Sequence, residues 1–82
     1  MEIAKHAKPG ARYRVTPWND ISKPGAPLVG YGLSEKKPGE RLYKLIAWKG
    51  EIHPWKTLAT AREAVKLLNE ASDRALQKEK QS

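Results

Sequence analysis

The tripeptide Lys-Pro-Gly occurs three times, at Lys8-Pro9-Gly10, Lys23-Pro24-Gly25 and Lys37-Pro38-Gly39. Proline presets the φ that the second position of a tight turn needs, and glycine accepts the positive φ of the third, so Pro-Gly marks a type II turn. Each copy precedes a run that reads as extended: ARYRVTPW, APLVGYGL and ERLYKLIAW. Three turns that each open a strand predict an antiparallel meander. A chain of 82 residues is one domain near the lower size limit for a single apolar core, with material for one sheet layer and one covering helix.

The first strand is expected from Arg12 to about Trp18. Tyr13 and Val15 point to one side, and Arg12, Arg14 and Thr16 to the other. Pro17 places its end at an edge or a bulge. Leu28 to Leu33 reads as a weak second strand or an extended loop, because Gly30 and Gly32 bring no side chain. Arg41 to Trp48 has the strongest strand pattern. A two-residue Lys49-Gly50 turn would return it as Glu51 to Trp55, pairing Trp48 with Glu51 and Lys44 with Trp55. That register puts Tyr43, Leu45, Ala47 and Ile52 on one face and Lys44, Ile46, Trp48, His53 and Trp55 on the other.

A helix follows. Thr60-Ala61-Arg62-Glu63 fits a capping box, and Ala61, Ala64, Val65, Leu68, Ala71 and Ala75 recur at helical spacing as one apolar stripe. The expected architecture is therefore α+β: an antiparallel three- or four-stranded β-meander, then one C-terminal amphipathic helix packed on the sheet. Residues 1–8 and 77–82 are expected to be flexible tails around a domain of residues 9–76.

Charge narrows the partner. Sixteen Lys and Arg against nine Asp and Glu give a formal net charge of +7, which favours a polyanion, nucleic acid before a membrane. The absence of cysteine removes disulfides and thiolate metal sites and fits a reducing cytoplasm. The opening MEIAKHAKPG lacks the apolar stretch of an export signal, and no window is apolar enough to span a bilayer. His6 and His53 make no metal-ligand spacing. Ser22, Ser34, Ser72 and Ser82 have no identifiable activating partner, and the glycines match no phosphate-binding pattern. A non-enzyme with no cofactor is the expectation.

If the helix covers Tyr13, Val15, Tyr43, Leu45, Ala47 and Ile52, the opposite face exposes Arg12, Arg14, Lys44, Trp48, His53 and Trp55, with Lys56 following. Cations beside aromatic planes suit single-stranded nucleic acid, and a basic three-stranded sheet also fits a duplex major groove. The reversed assignment, with Ile46, Trp48 and Trp55 in the core, fits the same alternation. One tryptophan of the hairpin is expected in the core and the other on a ligand.

The segment WKTLATAREAVKLLNEA, Trp55 to Ala71, resembles the last strand and helix of the AP2-like and integrase-arm DNA-binding domains. The resemblance rests on Thr57, Leu58, Thr60, Glu63 and Ala64. It implies a three-stranded sheet packed on this helix, with the free face laid in the DNA major groove. DNA is thus favoured over RNA, with Arg12, Arg14, Lys44 and Trp55 as contacts by position. The Pro/Gly-rich stretch from Asn19 to Gly39 departs from the short turns of that family.

A second reading belongs to another class. Small, basic, cysteine-free chains of this kind are similar to phage- and plasmid-type accessory proteins that bind and block a host protein. Trp18, Tyr31, Trp48 and Trp55 would then anchor in a partner's pocket, with the PLVGYG loop as a recognition element. An apolar second face would equally be buried in a homodimer.

Overall fold

The computed structural model describes residues 2–81. A 3-10 turn, Glu2–His6, is followed by β1 (Arg12–Asn19), β2 (Leu28–Lys36), β3 (Lys44–Ile46) and α1 (Leu58–Gln81). All three Lys-Pro-Gly turns form. The amides of Ala11, Ala26 and Glu40 donate to the carbonyls of Lys8, Lys23 and Lys37 at 3.1, 3.0 and 3.0 Å. The turn glycines take φ values of 75°, 77° and 87°, open to glycine without a Cβ clash.

The sheet is antiparallel in the order β1-β2-β3. Arg12 faces Lys36, Val15 faces Leu33 and Trp18 faces Gly30, while Leu33 faces Ile46 and Glu35 faces Lys44. The segment Leu28 to Leu33 is thus a strand, part of the central one. Its glycines have a packing role that composition alone hides. A Cβ on Gly32 would overlap the Ile52 carbonyl oxygen, and one on Gly30 would meet the His53 carbonyl oxygen at 3.0 Å. Bare backbone on β2 is what lets residues 52 and 53 lie against it.

The Lys49-Gly50 turn forms as expected, with Trp48 and Glu51 exchanging backbone hydrogen bonds of 2.8 and 3.0 Å. The pairing stops there, which corrects the expected hairpin. Trp55 exchanges its backbone bonds with Tyr31 instead, at 2.7 and 3.2 Å. β3 shrinks to three residues, and residues 47–54 loop out with both ends anchored on β2.

The core consists of Ile3, Ala11, Tyr13, Leu33, Ala64 and Leu68, with Ile46, Trp48, Trp55, Val65 and Leu67 packed against it. Two expectations are corrected. First, the segment expected to be an N-terminal tail delivers Ile3 to the core, only 7% exposed. Second, the faces of the third strand are reversed: Ile46, Trp48 and Trp55 sit on the core side, while Leu45 and Ile52 stay 39% and 41% exposed. A helix rich in alanine and a chain without phenylalanine leave volume that only the largest side chains fill.

The helix starts one turn earlier than its sequence pattern indicates. Thr57 is the cap: its hydroxyl accepts the Thr60 amide at 3.2 Å, and the Thr60 hydroxyl donates to the Thr57 carbonyl at 3.0 Å. The cap is thus a threonine pair without the reciprocal bond that the glutamate of a capping box makes to the N-cap N–H. At the other end α1 continues through the segment expected to fray, with Lys78 and Lys80 in its last turn, where positive charge complements the helix dipole. No helix among the described residues is long and apolar enough to cross a membrane.

Two polar side chains on the apolar stripe fasten α1 to the sheet. The Asn69 amide accepts the Tyr13 N–H at 2.9 Å and donates to the Tyr13 carbonyl at 3.2 Å. The fully buried Ser72 hydroxyl reaches the carbonyls of Ala11 and Lys8 at 2.7 and 2.8 Å. Arg12 adds an ion pair to Asp73 at 2.8 Å.

Candidate nucleic-acid interface

Strand alternation turns Arg12, Arg14, Thr16 and Trp18 of β1, with Ser34 and Lys36 of β2 and Leu45 of β3, away from the helix. This face has two ends. At the first, the Arg14 guanidinium lies over the Tyr43 ring, 4.1 Å from its centroid, and the Lys36 ammonium sits 5.6 Å from the same ring. The ring quadrupole attracts both cations. Between the ends, the Thr16 and Ser34 hydroxyls bond to each other.

At the second end, the rings of Trp18 and His53 stack, with centroids 5.8 Å apart and planes 21° from parallel. Clefts of about 480 and 410 Å³ flank this pair, sharing Trp18, Val29 and His53 as walls. The first also meets Ile52, Glu51 and Lys56. The second meets Asp20, Ile21 and Ser22. Exposed apolar side chains line these clefts: Ile21 is 90% exposed, Val29 43% and Ile52 41%.

The residues singled out from sequence divide accordingly. Arg14 and His53 lie on this face, and Lys56 lines its cleft. Arg12 is there too but is paired with Asp73. Lys44 lies on the helix side by its register with Glu35 and bridges to Glu40 at 3.0 Å. The Lys37 amide, and then the Lys44 ammonium, hold the Glu40 carboxyl below the usual carboxylate range. Trp48 packs on the core with its indole edge-to-face against His6, 4.6 Å between centroids. Trp55 also packs on the core, paired through its backbone with the half-buried Tyr31. The division of the hairpin tryptophans into one buried and one exposed is therefore corrected, since both pack inward. The tryptophan on the free face is Trp18.

Lys36 and Tyr43 were not among the residues singled out. The alternation that exposes Arg12 and Arg14 would have found Lys36 once β2 was known to run to that residue.

On the helix side, Tyr13, Glu35 and Lys8 form a polar cluster. The Tyr13 hydroxyl donates to Glu35 Oε2 at 2.7 Å, and Lys8 Nζ lies 3.4 Å from Oε1. Burial first, and then the bond to Glu35, push the Tyr13 phenol up to about 12. Its atoms are occupied with one another, so it reads as a structural network under the helix.

Comparison with known proteins matches the chain to no family model, no curated protein and no solved structure.

Proposed function

We propose that the chain is a non-catalytic nucleic-acid-binding module, with DNA favoured over RNA, acting through the sheet face opposite the helix. The observation that carries this reading is the Arg14–Tyr43–Lys36 cluster on that face, in a chain of net charge +7. A guanidinium over an aromatic ring offers paired donors to phosphate, and a lysine near the same ring adds a point charge. B-form DNA admits a sheet to its major groove, whereas the deep, narrow major groove of A-form RNA does not.

The test is an anisotropy titration of labelled DNA and RNA across a salt series. Affinity should fall log-linearly with salt. Arg14→Ala and Lys36→Ala should each lower the slope by about one, and Arg14→Glu combined with Lys36→Glu should abolish binding. No binding at low salt rejects the reading.

A specific observation favours the second reading, a protein-binding inhibitor or adaptor: exposed Ile21, Val29 and Ile52 surround Trp18. An interface of that kind would lose most from Trp18→Ala and show little salt dependence.

A further inference from the structure

We infer that the Trp18–His53 pair is a stacking site for an unpaired base, so that the ligand is single-stranded nucleic acid. The inference rests on the phosphate-contacting part of the nucleic-acid reading above and replaces its groove-bound duplex with an open strand. Trp18 and His53 present stacked π-faces between two open clefts, and such faces accept any base. In a duplex those bases are already stacked on their neighbours, so a strand must be open to use them.

The charges on the rims offer partners to the base as well as to the backbone. Each cleft carries one carboxylate, Glu51 in one and Asp20 in the other. Asp20 Oδ1 already accepts from the Ser22 N–H and hydroxyl, and its Oδ2 faces Lys23 at 4.0 Å. A carboxylate repels phosphate, and that of Glu51 can accept a hydrogen bond from the amino group of a base, cytosine for example. Phosphates are drawn instead to Lys56 at the rim of the first cleft and to Arg14 and Lys36 further along the face. From Arg14 to Trp18 the strand rises about 13 Å, so one extended segment can touch both ends. The arrangement is a stacking platform at one end, offering the outer faces of the Trp18–His53 pair, and a cationic cluster for phosphate at the other.

The test uses labelled oligodeoxycytidine, the same strand with abasic sites at its centre, and a duplex of equal length. The abasic strand keeps every phosphate and lacks only the planes. Stacking is expected to make the intact strand bind roughly 5- to 100-fold more tightly than the abasic one, with the same salt slope, and more tightly than the duplex. The exposed His53 is the residue to vary. His53→Ala should weaken binding of the intact strand several-fold and leave the abasic strand unchanged, and His53→Phe should restore it. Equal affinity for intact and abasic strands, or tighter binding of duplex, overturns the stacking site while the phosphate reading stands. No binding to any of the three overturns both.

Discussion

Asn69 does for β1 what a fourth strand would do. The outward N–H and C=O of Tyr13 have no strand beside them, and one side-chain amide satisfies both, at 2.9 and 3.2 Å. Asn69→Ala strands that donor and acceptor under the helix, so the variant should lose about 1–3 kcal/mol in urea unfolding. The residue was invisible to a reading that sought apolar periodicity, because an asparagine on an apolar stripe looks like an interruption. Tyr13 yields a pH prediction from the same place. Its phenol is raised from 10.0 to about 12 in the folded chain. Between those values the folded state keeps a proton that the unfolded state has released. The stabilisation is fully present below pH 10 and is lost as pH rises toward about 12. Urea midpoints measured from pH 9 upward should therefore fall more steeply for the parent than for Tyr13→Phe.

Among the elements, β2 carries the most consequence for its length. Gly32→Ala forces a methyl into the Ile52 carbonyl, and relieving that overlap means moving the loop backbone. A cost of about 1–3 kcal/mol in the denaturation midpoint is expected, together with a changed Trp18 environment in fluorescence, since His53 rides on the same loop. Local signals are legible in the sequence: the three Lys-Pro-Gly turns, the Lys49-Gly50 reversal, the start of β1 and the existence of α1 follow from residues within a turn or two of each other. Features that depend on distant partners are not. Nothing near Lys44 says that β3 stops at Ile46, because what ends it is the capture of Trp55 by Tyr31. The site followed suit. Arg14 was legible from β1 alternation alone. Tyr43 and Trp48 were assigned to the wrong sides, because facing depends on which surface the helix covers.

For the molecule as a whole, the packed core and the proposed binding face lie on opposite sides of one sheet. The molecule measures 53 × 27 × 20 Å, and the 24-residue α1 is about 36 Å long. Ile3, from the N-terminal turn, belongs to the core on the helix side. Ile3→Ala should cost about 2 kcal/mol or more in thermal or urea unfolding, yet leave the salt slope of the proposed nucleic-acid binding unchanged once the variant is folded. A slope that changed with it would mean the two faces are coupled. The Asn69 contact has one more implication, for misassembly. A single amide on the helix occupies the outward N–H and C=O of Tyr13, so any fluctuation that lifts α1 bares that stretch of strand edge and the apolar side of Tyr13 and Val15 together. Open edges of that kind recruit strands from other chains. The helix therefore acts as a chaperone for its own sheet, and the first product of its loosening would be an aggregate rather than a denatured monomer.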